Sequence, residues 1–213
     1  MQTITAEQLR VALLNVSDKI VKAEPLLTEL DTIIGDGDHG IGMRIGFSAM
    51  KKQLTENTYD TPYHLLHESG MTLIKVMGGT SGVIFGTLFI GGLSHIEGKE
   101  TLTLTDFANY IDGGTKAIAK RGKVDRGDKT MYDALIEASI ALNESAAAGD
   151  SIEEGLIKTT LAAKKGVEDT KDMMSRKGRS KNFRDKTVGH PDTGAVSTSL
   201  IFEALSESFT AMA

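Results

Sequence analysis

No stretch of this chain alternates apolar and polar residues convincingly over six or more positions. A sheet with one solvated face requires that alternation, so its absence turns the reading away from β-structure. Apolar residues recur at helical spacing instead. Leu9, Ala12, Val16 and Ile20 form one stripe of a helix over 5–22, and Thr5 with Gln8 offers a capping box. Pro25 opens a short turn or helix leading to Asp31. Residues 31–42 read as irregular, with helical spacing resuming over 43–54. Thr61-Pro62 starts a helix that ends at Gly78-Gly79, and Thr80-Ser81 caps the next. Thr105 begins a helix to about Gly122, Asp128 caps one to about Ser145, and Ser151 with Glu154 opens one to about Met174. A long polar loop over 175–193 precedes a last helix, 194–212. These are eight or nine helices with no repeat and no linker, which predicts one all-α domain over 1–213. Short connections favour antiparallel neighbours, as in a bundle or closed barrel.

Glycine sits oddly in such a chain. It supplies 23 of 213 residues, against three prolines, where an average chain has roughly 7%. Twelve of the 23 lie in 35–46 and 70–92. In the first segment they let backbone curl around a ligand; in the second they let helices approach closely. The span Leu73–Leu93 is apolar but carries Lys75 and six glycines, so it reads as buried rather than membrane-spanning. Zero cysteine excludes disulfides, thiolate metal sites and a cysteine nucleophile. The net charge of −5 gives no global field for nucleic acid or membrane. The N-terminus lacks the apolar core of a signal peptide, so the expected location is the cytoplasm.

Five segments carry chemistry. Asp31, Asp36 and Asp38 place three carboxylates within eight residues, followed by His39-Gly40. Such acids repel one another unless a hard divalent cation sits between them, and Mg²⁺ commonly binds through carboxylates plus substrate phosphates. The glycines here also fit a dinucleotide fingerprint, but no strand precedes them and the intervening acids would repel a pyrophosphate. An EF-hand fails because Gly40 and Phe47 stand where ligands belong. Gly78–Gly82, at a helix start, offers N–H groups and the hydroxyls of Thr80 and Ser81 to an anion. Residues 176–186 gather Arg176, Lys177, Arg179, Lys181, Arg184 and Lys186 against one acid, Asp185. This cationic patch suits phosphate neutralisation; with Phe183 its one aromatic, it is poorly made for nucleic acid. Gly189–Gly194 turns into the last helix. Arg121–Met131 approaches a Walker A pattern, but Asp128 interrupts it. Acid cluster, phosphate-binding helix start and basic loop together are what phosphoryl transfer needs, without a protein nucleophile.

The segments LDTIIGDGDHG, GMTLIKVMGGTSGVIFGTLF, KRGKVDRGDKTMYDAL, SRKGRS and GHPDTGA resemble, in order, the nucleotide-binding L subunit of phosphotransferase-dependent dihydroxyacetone kinase. The resemblance covers nearly the whole chain. It implies an eight-helix antiparallel barrel with the nucleotide at one rim. It implies that Asp31, Asp36 and Asp38 ligate Mg²⁺, two ions in number, on the phosphates of an ADP that stays bound as coenzyme and cycles to ATP. By the same resemblance His39, Gly40, Ile41 and Gly42 lie against the nucleotide, Thr80 and Ser81 hold phosphate oxygens, and Gly122 and Met131 border adenine and ribose. Arg179 reaches over the phosphates, and Asp192, Thr193 and Gly194 close the site. The implied donor is a phosphohistidine protein of the phosphotransferase system, its M subunit. The implied acceptor is dihydroxyacetone on a separate K subunit. A transcriptional regulator and a second copy of the chain complete the expected partners. Gly42 departs from the pattern, standing where the family usually has Asn.

Overall fold

The computed structural model describes all residues, 1–213. Nine α-helices make up most of it: α1 (Ala6–Lys22), α2 (Glu24–Ile34), α3 (His39–Glu56), α4 (Pro62–Met77), α5 (Gly79–Ile90), α6 (Leu104–Gly122), α7 (Met131–Ala148), α8 (Ile152–Asp169) and α9 (Thr193–Met212). Short 3₁₀ turns cover Leu93–His95, Thr170–Asp172 and Ser180–Thr187. The only strands are two-residue pieces, β1 (Ile4–Thr5) and β2 (Thr101–Leu102), paired antiparallel.

Local chemistry places most helix starts. Thr5 with Gln8, Thr103 with Asp106, Thr130 with Asp133 and Ser151 with Glu154 form reciprocal capping boxes. Each satisfies two backbone groups left open at a helix start. Two of the four were legible in advance. In a third case the expected cap, Asp128, is instead a turn residue accepting from the Asp125 N–H at 3.0 Å. The helix after it begins at Thr130. The α6 cap lies two residues before Thr105, and α8 ends at Asp169 rather than near Met174.

Eight helices close a ring. α1 packs on α3, then α4, α5, α6, α7, α8 and α9 follow in order, and α9 returns to α1. α2 stands outside this ring, against α3 and α9. Neighbours run in opposite directions. Lys51 near the end of α3 pairs with Asp18 of α1, while Arg10, earlier in α1, bonds the Leu54 carbonyl. Lys19 of α1 meets Glu203 of α9, and Asn15 meets Ser208. The fold is therefore an all-α antiparallel barrel of eight helices, with one helix added. Leu9, Leu66, Leu88, Phe107, Ile201 and Phe202, from five helices, face one apolar interior. Burying each such side chain contributes about 1.5–3 kcal/mol.

The span Leu73–Leu93 resolves into two helices. Gly78 and Gly79, at φ +65° and +59°, reverse the chain between α4 and α5. No helix is long and apolar enough to cross a membrane. In the hairpin, a methyl group on Gly70 would meet the Gly86 carbonyl at 3.0 Å, and one on Gly86 would meet the Gly70 carbonyl at 2.9 Å. Glycine is thus a packing requirement at this crossing, as its helical setting suggested.

Candidate functional site

An antiparallel ring collects alternate helix starts on one rim. Here that rim holds the N-termini of α3, α5, α7 and α9. The His39 ring at the start of α3 hydrogen-bonds Ser197 in the second turn of α9 (2.8 Å) and lies 6.0 Å from the Phe85 ring of α5. Gly194 at the start of α9 faces Met131 at the start of α7, where a methyl group on Gly194 would lie 3.2 Å from the Met131 Cβ. Gly122, ending α6, faces Ile84 of α5. Four helix starts bring positive dipole ends to one face, a field that favours phosphate; those of α7 and α9 are capped by side chains, while that of α5 is not.

The acid cluster sits on this rim. Residues 31–42 are less irregular than expected. α2 runs on to Ile34 because Leu27 and Ile34 bury one stripe, so Asp31 is helical, and α3 already begins at His39. Only Gly35–Asp38 forms the loop, with Gly37 at φ +76°. Three carboxylate oxygens, one each from Asp31, Asp36 and Asp38, lie within 4.8 Å of one another. Asp31 also accepts from the His39 N–H at 3.2 Å. The Arg179 guanidinium bridges Asp36 and Asp38, at 3.4 Å from the latter. A cation is thus already drawn to these oxygens, and the all-oxygen donor set fits Mg²⁺.

Burial pushes the His39 imidazole down to about 4, against the pull of Asp31. The ring is therefore neutral, and it shares a hydrogen bond with the Ser197 hydroxyl, which also donates to the Thr193 carbonyl at 3.2 Å. Nothing in the residues around Ser197 marks it as a site residue. Gly40 packs on Thr28 and the Glu24 carbonyl, whereas Ile41 is 41% exposed and Gly42 faces open space. Thr80 is exposed and Ser81 half-buried. They lie in the first turn of α5 rather than at its cap. Gly78 is the cap, and it supplies no side-chain bond, so that helix start remains open to an anion.

The region 175–193 is more ordered than a polar loop. It folds into a 3₁₀ turn, Ser180–Thr187, kinked at Arg184. The Ser175 N–H donates to Thr187 Oγ1 at 2.9 Å and the Gly189 N–H to the Lys171 carbonyl at 2.7 Å. At its end Asp192 caps α9, with Oδ2 accepting from the Ala195 N–H at 2.8 Å, and Thr193 is buried.

Burial raises the Asp192 carboxyl to about 7; nearby Asp133 adds to this, while the cap bonds and Lys129 oppose it. The folded state therefore binds this proton more tightly than the unfolded chain. The stability it contributes is full below about 4 and is lost as pH rises through about 7. Asp192→Asn keeps a capping oxygen and removes the titration. It is expected to gain stability relative to the parent between pH 5 and pH 8. Urea midpoints of both proteins at the two values check this; parallel pH dependence would refute it.

The fold and this rim define an antiparallel helical barrel that gathers three carboxylates, an open helix start and a basic segment on one face. Comparison with known proteins gives the family: the DAK2 domain matches residues 33–207, and the chain belongs to it. It is 35% identical to the ADP-binding subunit DhaL of PEP-dependent dihydroxyacetone kinase 1 of Listeria innocua, over 88% of this chain and 89% of that one. It is 34% identical to the DhaL subunit of Escherichia coli, over 84% and 85%. L-erythrulose kinase of Pectobacterium atrosepticum is 34% identical over 92% of this chain, which spans 34% of that longer protein. Among solved structures, the C. freundii dihydroxyacetone kinase in complex with AMP-PNP and Mg²⁺ superimposes with a TM-score of 0.77 at 25% identity. That match covers 98% of this chain and 35% of that one.

Proposed function

We propose that this chain is the ADP-binding subunit of a PEP-dependent dihydroxyacetone kinase, a phosphotransferase. The observation that carries the reading is the convergence of Asp31, Asp36 and Asp38 on a rim of four helix starts. Membership of the DAK2 family and the similarity to DhaL subunits support it.

Asp31, Asp36 and Asp38 hold Mg²⁺, two ions in this reading, on the phosphates of a resident ADP. The metal neutralises phosphate charge and polarises the transferring group when bound. The open N-terminus of α5 receives phosphate oxygens through its N–H groups, Thr80 and Ser81. His39, Gly40, Ile41 and Gly42 line the nucleotide from α3. Gly122 and Met131 flank the adenosine moiety, and Asp192, Thr193 and Gly194 close the far side. Divalent cation competes with the Arg179 guanidinium for the same carboxylates. That competition frees Arg179, 68% exposed, for phosphoryl oxygens. Phosphoryl groups arrive from the phosphohistidine M subunit and leave to dihydroxyacetone on the K subunit. A transcriptional regulator that senses the ADP or ATP state, and pairing into a homodimer, belong to the same reading.

Mass spectrometry of the purified protein, native and then denatured, tests it. ADP and Mg²⁺ are expected to accompany the native chain; a protein without nucleotide and without affinity for it would sink the proposal. The similarity to L-erythrulose kinase favours a second reading, with another short ketose on the partner subunit. Assays of the reconstituted complex with dihydroxyacetone and L-erythrulose separate the two.

Gly42 offers a gain-of-function check. A Cβ there meets nothing within 4 Å, so Gly42→Asn fits without strain. Restoring the amide usual in the family is expected to tighten ADP binding several-fold, since one added hydrogen bond is worth about 0.5–1.5 kcal/mol. Calorimetric titration measures it; unchanged affinity would place residue 42 away from the nucleotide.

A further inference from the structure

Lys129 is the one buried lysine in the structure, at 1% exposure, and it lies in the connection between α6 and α7 with φ +59°. No carboxylate pairs with it. Its Nζ donates to four backbone carbonyls: Thr170 at 2.7 Å, Met173 at 3.1 Å, Thr187 at 2.6 Å and His190 at 2.6 Å. An ammonium has three protons, so one is shared. Burial disfavours this charge, and Asp192 and Asp172 nearby only partly offset it, so the arrangement is costly unless it secures something else.

The four acceptors bracket one segment. Thr170 and Met173 precede the basic stretch; Thr187 and His190 follow it. Ser175 and Thr187 close the same neck at 2.9 Å. Two further bonds tie the segment to residues just before Lys129: the Arg176 N–H donates to the Asp128 carbonyl at 3.1 Å, and Lys177 Nζ donates to the Lys123 carbonyl. Beyond the neck the tip is exposed, and from it Arg179 reaches Asp36 and Asp38. The neck is fixed by a buried cation while the tip carries the arginine of the site.

We propose that Lys129 is a positioning residue. Its ammonium gathers both ends of the 170–190 segment and holds Arg179 over the phosphate site. No bond of Lys129 is made to nucleotide or metal. The inference rests on the proposed function for what Arg179 does, but not for the ordering of the segment.

The test uses the full chain as Lys129→Met, Lys129→Arg, Arg179→Ala and the Lys129→Met/Arg179→Ala double variant, with Thr187→Val as a milder break of the same neck. Trypsin cleavage within 176–186 is expected to speed up at least tenfold in Lys129→Met, and less in Lys129→Arg and Thr187→Val. With the partner subunits, kcat for phosphoryl transfer is expected to fall about 10²-fold, the scale of a misplaced catalytic group. ADP affinity is expected to stay within about threefold, because Asp31, Asp36, Asp38 and the α5 start lie on other elements. The double variant is expected to be no slower than Arg179→Ala alone, because Lys129 acts through that arginine. Additive losses in the cycle, or native cleavage rates and kcat in Lys129→Met, would overturn the proposal. If Lys129→Met does not fold, Thr187→Val decides by the same two readouts. A parent protein that neither binds ADP nor transfers phosphoryl groups overturns the functional reading alone, and the cleavage rates then decide the role of Lys129.

Discussion

Asp36→Ala and Asp38→Ala are each expected to release the nucleotide. Each substitution removes one of three carboxylates whose oxygens meet within 4.8 Å. Two remaining acids, one of them Asp31 on the last turn of α2, hold a divalent cation poorly. Removing even an outer partner of a metal ligand typically costs about 10–100-fold, so losing a ligand is expected to weaken Mg²⁺-dependent ADP binding by at least about 10²-fold. The apo fold should be spared. These carboxylates repel one another, and Asp36 and Asp38 are exposed. Thermal melts with and without Mg²⁺ and ADP separate the two effects. The parent is expected to gain about 2.7 kcal/mol at a ligand concentration 100 times Kd, and the variants close to nothing. Both variants keeping their nucleotide would remove the metal assignment.

Gly92→Ala is expected to cost about 3 kcal/mol, the upper range for forcing an atom into packed surroundings. A methyl there would enter the shell of the Tyr110 carbonyl oxygen, with the carbonyl carbon at 2.7 Å and Cα at 3.0 Å. Nothing flexible yields, because the obstacle is backbone. The gap cannot open freely either. The Tyr110 hydroxyl, fully buried, donates to the Phe89 carbonyl at 2.8 Å and pins α6 to the end of α5. For a chain of this size the melting temperature is expected to fall about 6–12 °C. The same change at Gly42 has the opposite sign. That site is helical and open, so alanine there is expected to add about 0.5–1 kcal/mol. Scanning calorimetry of both variants checks the contrast; equal shifts would refute the packing argument.

These two glycines show how far the amino-acid sequence reaches. Both sit in segments rich in glycine, and the local pattern separates a ligand-curling loop from a helix-packing stretch but does not say which individual glycine is crowded. The difference lies in what another helix places beside each one. The same limit governs the helix boundaries. Thr5, Thr61 and Ser151 were legible because a cap acts within three residues. Thr130 was hidden by the equally plausible Asp128, whose carboxylate the fold uses in a turn. The end of α2 lies beyond the expected start of the loop because turn-forming residues begin only at Gly35, and the apolar stripe that keeps Asp31 helical is set by packing.

The motifs divide likewise. Three acids around DGD, an open glycine-rich helix start and a basic loop were local facts of the chain, and they already pointed to metal and phosphate. Ser197 beside His39, and Lys129 beneath Arg179, had no such signature. A serine and a lysine become distinctive only when partners 158 residues and 41–61 residues away converge on them. Helix capping, turn chemistry and charge density act over a few residues, so the sequence alone determined the all-helical fold class and which residue types are available to bind metal and phosphate. Ring closure acts between residues far apart. Tertiary structure therefore decided which helix starts share a rim, which glycines must stay bare and which buried cation orders the loop above the site.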